Sequence, residues 1–380
     1  MPRRVRRGDV RASSVTTVIL DTLDIPIVLA PLAGGPATVD LAVAVSEAGG
    51  LGFLASGYRT AADLREQVHS FRADSARPFG VNLFTPPAQA SAAPPERYAD
   101  YVQRLAGEAE RAGVALGEPR FDDDDWDAKL EALSELQVPV VSFVFGCPPA
   151  AVVARLRATG ASVWVTITSP DEARLAQDAG ADALVVQGYE AGGHRGSFAD
   201  GGEAPYGLLS LLQLVAASVR VPLVAAGGLA SGRGVAAVLA AGARAAQVGT
   251  AFMRCPEAGT AAVHRAALAT PASTAITRAF TGKPARGIVN RFMRDHDASA
   301  PAAYPEIHHV TAPLRHAARR SGDPDLVNLW AGQAHELASE EPAAVIARRL
   351  ADDARDALRR AARVVAEHAG DGDASSGAGQ

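Results

Sequence analysis

One histidine, His194, stands directly behind two glycines in the stretch VVQGYEAGGHRGSF, at the end of an apolar run. Histidine is the side chain whose ordinary pKa lets it trade a proton near neutral pH. The small residues before it would let a turn bring the ring close to whatever occupies a neighbouring cleft. The plain alternative is a tight turn that happens to carry a histidine, and nearby Glu190 could simply brace that loop. Two more glycine clusters follow apolar runs, Ala226-Gly227-Gly228-Leu229 and Gln247-Val248-Gly249-Thr250. Glycine lets backbone N–H groups approach a phosphate without interference from Cβ, and a following helix N-terminus adds a favourable partial charge. Turns use glycine for positive φ in any case, so it is the two clusters together that point to phosphate. Asn82 and Gln187 each sit near the end of an apolar run. Their amides both donate and accept, which suits a planar heterocycle, although each could equally cap a loop.

Other chemistries find little support. There is no Ser-His-Asp order and no H-E-x-x-H motif, and the adjacent His308 and His309 would point apart in a strand, so no metal is expected. Cys147 and Cys255 allow at most one disulfide and no cluster spacing. Both stand beside prolines and read as loop or core residues, which a reducing cytoplasm fits.

Residues at run ends need a scaffold that gathers those ends. Apolar runs at 26–31, 50–55, 79–84, 138–146, 162–168, 183–188, 222–228 and 245–252 are continuous rather than alternating, as parallel strands buried on both faces are. Helical patterns lie between them. SPDEARLAQDAG opens with Ser169 as N-cap and Pro170 in the first turn, and closes on Gly180. An Ala-Gly pair precedes the next run three times, in AGGLGF, AGADALVV and AGARAAQV. Eight strand–helix units imply a TIM (β/α)8 barrel, with a doubly wound sheet as the alternative. Function in such a barrel sits at the C-terminal ends of the strands, where the residues above fall.

The rhythm stops near residue 270. We expect a barrel over 15–270, a mainly helical C-terminal subdomain over 271–366 that completes the pocket, a disordered leader over 1–14 and a low-complexity tail over 367–380. The acidic run in FDDDDWDAKLEALSEL reads as a solvated helix start. The 380 residues are 48% hydrophobic and 21% charged, with a net charge of −5, which gives no reason to expect nucleic acid or an anionic membrane as partner. The Arg-rich N-terminus is followed by Asp21 and Asp24 and has no apolar core of a signal peptide. No run approaches the roughly 18 apolar residues of a membrane span.

QGYEAGGHRG resembles the signature loop of the nitronate monooxygenase (2-nitropropane dioxygenase) family, FMN enzymes on a TIM barrel. APLAGGP, GVNLF, AAGGLASGRG, QVGTAF and FMRCPEAG are similar to further family segments. TRAFTGKPARGIVNRF, YPEIHHVTAPLR and LWAGQ resemble the C-terminal part of its bacterial and fungal branch. Leu32 departs from the pattern, since many relatives have methionine there; a swap of similar volume should tune packing. The resemblance implies that Gly193, Gly227, Gly228, Gly249 and Thr250 hold the FMN phosphate, with Gly192, Ala226 and Gln247 beside them. It implies that Asn82 and Gln187 bond the flavin ring, that Ala30, Pro31 and Leu32 line it, and that His194 faces the substrate as a hydrogen-bond donor, a cation or a base. Tyr304 and Lys283 are candidates to finish the pocket. The implied reaction is oxidation of an alkyl nitronate, such as propionate 3-nitronate, by O2 to a carbonyl compound and nitrite. Two readings compete: an FMN-dependent NAD(P)H enoyl-thioester reductase, whose loop is similar, and a flavin- or phosphate-binding protein without turnover.

Overall fold

A computed structural model describes residues 19–86, 93–199 and 205–373. The expected leader lies outside them, and so does the expected tail from residue 374 on. In chain order the barrel elements are β1 (Ile27–Leu29), α1 (Val39–Glu47), β2 (Gly52–Ala55), α2 (Ala61–Asp74) and β3 (Phe79–Phe84). An excursion follows, made of α3 (Ala99–Arg104), α4 (Ala106–Ala112) and α5 (Trp126–Leu136). The barrel resumes with β4 (Val140–Val144), α6 (Ala150–Ala158), β5 (Ser162–Ile167), α7 (Pro170–Asp178) and β6 (Ala183–Gln187). A two-residue strand, β7 (Gly193–His194), precedes α8 (Leu208–Ser218), β8 (Leu223–Ala226), α9 (Gly232–Ala240) and β9 (Ala245–Val248).

The eight longer strands are all parallel, in the order β1-β9-β8-β6-β5-β4-β3-β2. A parallel bridge from Val28 to Leu51 joins the two ends, with Leu51 N donating to Ile27 O at 3.0 Å. All eight apolar runs are barrel strands, so the (β/α)8 barrel replaces the doubly wound alternative. Alternation divides each strand between two cores. Val28, Phe53, Trp164, Val185 and Val224 fill the barrel interior, whereas Ile27, Leu29, Leu184 and Val186 pack outward against the helices. That parity sets Asn82, Gln187 and Gln247 in positions lining the interior's upper end, where Gln187 pairs in register with Ala226 and Ala226 with Gln247.

The helix signals act as their chemistry requires. Ser169 Oγ accepts from Glu172 N at 3.2 Å and Ser231 Oγ from Gly234 N at 3.3 Å. The glycines of the three Ala-Gly pairs, Gly49, Gly180 and Gly242, all have positive φ, so each helix stops in the left-handed turn that L-side chains resist.

Past the barrel come α10 (Ala262–Leu268), β10 (Thr274–Thr277), β11 (Ala285–Ile288), α11 (Arg291–His296), α12 (Glu306–Ser321) and α13 (Ala343–Asp373). This part is mainly helical, but β10 and β11 pair antiparallel, and Ala285 and Arg286 pair with His194 and Gly193. Four-residue strands are too short to show a period in sequence. α11 and α12 share a separate hydrophobic core with α3 and α4, around Phe280, Phe292, Ile307 and Leu314. α13 returns to the barrel and packs on α9 and α1; its helix runs through residue 373, into the stretch expected as tail.

The acidic run corrects our expectation in part. Asp123 and Asp125 are exposed at the start of α5, but Asp124 is largely buried: it pairs with buried Lys129 at 2.8 Å and accepts from Tyr58 N at 2.8 Å. Asp125 accepts from Ala61 N at the start of α2 at 2.7 Å, and Lys129 Nζ donates to Ser56 O at 2.9 Å. A run of acids is ordinarily a solvated face; here it clamps the β2–α2 loop to α5. Burial pushes the Asp124 carboxyl up to about 6. His308 and His309 likewise lie on helix α12, not on a strand, and their rings meet edge to face at 5.3 Å.

Candidate active site

A cavity of about 470 Å³ opens at the C-terminal end of the barrel. Its floor and near wall hold Ala30, Pro31 and Leu32 after β1, Asn82 on β3 and Gln187 on β6. Its far wall holds Gly192, Gly193 and His194, then Ala226, Gly227 and Gly228 after β8, and Gln247, Gly249 and Thr250 after β9. The fold thus gathers these residues from five strand ends.

The glycine turns are shaped for close backbone approach. Gly227 and Gly228 have φ of 118° and 66°, and a Cβ on Gly228 would fall 2.9 Å from Glu190 Cβ. A Cβ on Gly249 would meet Leu32 Cδ2 at 3.1 Å. Just beyond Gly228, Ser231 caps α9, whose N-terminal N–H groups face the same end of the barrel. Glu190 braces the loop: both its oxygens accept from Leu208 N at 3.0 Å, which closes the start of α8. Thr250 Oγ1 accepts from Gly332 N at 3.1 Å, tying the β9 turn to the C-terminal lobe.

The two amides are partly committed to the protein. Gln187 Nε2 donates to His194 O at 3.1 Å and its Oε1 accepts from Gly196 N at 2.8 Å. Gln187 therefore holds the His194 loop as well as lining the cavity. Asn82 Nδ2 donates to Ser142 Oγ at 2.9 Å.

His194 sits in an aromatic box. Its ring lies 5.7 Å from Phe145, 5.8 Å from Tyr304 and 5.6 Å from Trp330, and Nε2 is 2.9 Å from Thr281 Oγ1. Thr281 Oγ1 donates to Lys283 O at 3.2 Å, and that arrangement leaves the imidazole to donate from Nε2. Burial, reinforced by the charges of Lys283 and Arg315, pulls the His194 pKa down to about 3. With nothing bound, burial therefore favours the neutral ring at ordinary pH.

Tyr304 and Lys283 stand behind the cavity wall rather than in it. The Tyr304 hydroxyl donates to Tyr58 Oη at 3.2 Å, and Lys283 Nζ lies 4.8 Å over the Phe145 ring. Both lysines of the chain, Lys129 and Lys283, are therefore buried supports.

Sequence reasoning missed much of the upper wall. Tyr58 and Phe145 are non-glycine residues at positive φ, 64° and 74°, each beside a glycine at a strand end. Such conformations cost about 1–3 kcal/mol and persist where surroundings impose them. Tyr58 stacks on His308, with centroids 4.2 Å apart. His308, Ala312, Arg315 and Arg319 form one stripe of α12 facing the cavity. Their helical spacing was the signal that could have found them.

The electrostatics of this lining are one-sided. No aspartate or glutamate among the described residues lines the cavity, whereas Arg315, Arg319 and the histidines 194, 264, 308 and 316 do. Burial also holds His264 down at about 4 and His308 well below its ordinary value. The formal positive charge is thus carried by the two arginines; burial lowers Arg315 to about 10, which leaves it charged. A chain of net charge −5 keeps an acid-free, cationic chamber at its barrel mouth.

In architecture and in the place of its cavity, the chain is a (β/α)8-barrel enzyme. The family model described as nitronate monooxygenase matches residues 17–353. A nitronate monooxygenase of Pseudomonas aeruginosa is 42% identical over 340 residues, covering 87% of this chain and 96% of the relative. A probable nitronate monooxygenase of Staphylococcus aureus is 34% identical, covering 86% and 93%. Among solved structures, a nitroalkane oxidase from Streptomyces ansochromogenes is similar at a TM-score of 0.87 and 49% identity, over 90% of this chain and 99% of that one. FabK from Thermotoga maritima is similar at a TM-score of 0.71 and 29% identity, over 92% and 100%. The chain belongs to the nitronate monooxygenase family and is an oxidoreductase. No helix among the described residues is long and apolar enough to cross a membrane.

Proposed function

We propose that this chain oxidises alkyl nitronates, propionate 3-nitronate among them, with O2 and a bound FMN, yielding a carbonyl compound and nitrite. The observation that carries this reading is the acid-free, arginine-bearing cavity beside glycine turns, a setting for anions. FMN fits the residues present. Backbone N–H groups at Gly227, Gly228, Gly249 and Thr250 would receive its phosphate, in turns where a Cβ on Gly228 or Gly249 would press on Glu190 or Leu32. Asn82 and Gln187 would meet the ring edge, with Ala30 to Leu32 beneath it. When bound, the flavin supplies the electron transfer between nitronate and oxygen.

The protein's own work is then modest. A nitronate is already an anion and needs no base, whereas a neutral nitroalkane must first lose an α-proton. His194, with its pKa near 3, is a weak base, and no carboxylate among the described residues lines the cavity. This favours the nitronate over the nitroalkane as the form consumed. Phe145, Tyr304 and Trp330 fix the His194 ring, and the Tyr304 phenol stays protonated beside it. Cytoplasmic residence accords with Cys147 and Cys255 both being free thiols.

The likeness to FabK keeps the reductase as the second reading. The purified, flavin-loaded protein is to be mixed anaerobically with propionate 3-nitronate and, separately, with NADPH. Bleaching of the flavin by the nitronate, with nitrite formed once air is admitted, is expected. Bleaching by NADPH alone would transfer the assignment to the reductase, and no change with either would remove the assigned chemistry.

A further inference from the structure

We infer that Arg315, seconded by Arg319, forms a distinct anion subsite in this cavity, for a carboxylate carried by the nitronate substrate away from its reacting end. The inference rests on the nitronate reading of the site and names the residue that would select within that class.

Arg315 is only 5% exposed. Its Nε donates to Thr311 Oγ1 at 3.1 Å and its NH2 to His308 O at 2.7 Å, while NH1 has no protein partner among the described residues. Neither Arg315 nor Arg319 has a carboxylate within ion-pair distance among those residues; Arg319 NH2 donates to Asn328 Oδ1 at 2.7 Å.

Two other buried charges are paired. Lys129 is paired with Asp124, and buried Glu108 holds both Arg291 and His296. Arg286 is as deeply buried, but it donates to Tyr189 O and Thr274 and lies over the Tyr189 ring. Of the buried guanidinium groups, Arg315 combines a cavity-facing position with an NH1 group that no described protein atom engages. A buried cation without a counter-ion is costly, and an incoming anion would offset that cost. Its NH1 can give a carboxylate oxygen a charge-assisted hydrogen bond, while Thr311 and His308 hold the guanidinium in place.

The position separates this subsite from the phosphate cradle. The cradle lies at the ends of β8 and β9, whereas Arg315 projects from α12 in the appended lobe. It is near enough to His194, Tyr58 and Tyr304 for its charge to act on all three. His308 fixes it from one side, through its carbonyl and through Nδ1 at 3.3 Å, and is itself stacked on Tyr58. A ligand whose nitronate lies beside His194 would thus meet a pre-set guanidinium at its other end.

The test compares propionate 3-nitronate with propyl-1-nitronate, of similar length without the carboxylate, on the flavin-loaded protein and on Arg315→Gln and Arg315→Lys. Wild-type KM is expected to be roughly 10- to 100-fold lower for the carboxylated nitronate. Arg315→Gln should raise that KM far more than the other, and Arg315→Lys should restore part of the difference. Equal wild-type KM values overturn the proposal without recourse to any variant. So does a Gln variant in which both KM values rise alike, or one that loses its flavin and keeps the discrimination. Calorimetric titration with propionate, an unreactive carboxylate, needs no turnover. Binding that weakens about tenfold or more in Arg315→Gln supports the subsite even if no nitronate is oxidised, and absent or unchanged binding overturns it.

Discussion

Replacing Gly228 by valine should empty the proposed flavin site. At φ of 66° the residue occupies a region that costs an L-side chain about 1–2 kcal/mol, and a β-branched chain is the worst case. Its Cβ would also fall 2.9 Å from Glu190 Cβ, closer than two carbons approach. Glu190 cannot retreat freely, because both carboxylate oxygens cap Leu208 N and its carbonyl accepts from Gln333 N at 3.1 Å. Losing that cap would cost about 1 kcal/mol more. The cheaper relief is to turn the Gly228 peptide, which takes its N–H away from the phosphate. One charge-assisted hydrogen bond is worth about 1.5–3 kcal/mol, so flavin binding should weaken roughly 10- to 150-fold. The assay is flavin retained after gel filtration, followed by fluorescence titration of the apoprotein with FMN. Gly242→Ala supplies the control, since Gly242 has φ of 103° with open space around its missing Cβ at the far end of α9. It should lower stability by about 1 kcal/mol and leave the flavin in place. A Gly228→Val protein that binds FMN within about threefold of wild type would refute the cradle argument.

Other expectations follow from the same geometry. His194→Asn should keep its flavin while kcat/KM on a nitronate falls by roughly 10²-fold, the loss expected when one polar group placed for the reacting charge is removed; undiminished turnover would remove His194 from the reaction. Because burial lowers the His194 pKa from 6.5 to about 3, wild-type kcat/KM should show no inflection near pH 6.5. An inflection there that vanishes in His194→Asn would contradict the buried, neutral ring. The same shift fixes a sign for stability. The unfolded chain takes up this proton first, so the contribution is complete above pH 6.5 and is lost as pH falls toward 3. His194→Asn should make thermal stability less steep in pH across that window. Lys129→Met should lower stability by about 3–5 kcal/mol, because it leaves Asp124 buried without its cation; a melting temperature close to wild type would mean that the acidic clamp bears no weight.

Strand positions and the ring of residues around the barrel mouth could be read from the sequence because they depend on local patterns. A strand buried on both faces must be apolar throughout, and a helix that stops before it needs a left-handed residue. The eight runs and the glycines at 49, 180 and 242 followed from those two facts. Parallel strands then put Asn82, Gln187 and the glycine turns, all near C-terminal strand ends, at one end of the barrel. Three matters lay beyond that reach. Composition cannot distinguish a solvated acidic run from a clamp, since the partner of Asp124 that decides it, the Tyr58 backbone, is remote in sequence. The ionisation of His194 depends on burial beneath a lobe whose strands pair with it from residues 285 and 286. The character of Arg315 depends on the absence of an acid within ion-pair distance among the described residues. A sequence displays the charges a chain possesses, and only the packed structure shows which of them were left without a counter-charge.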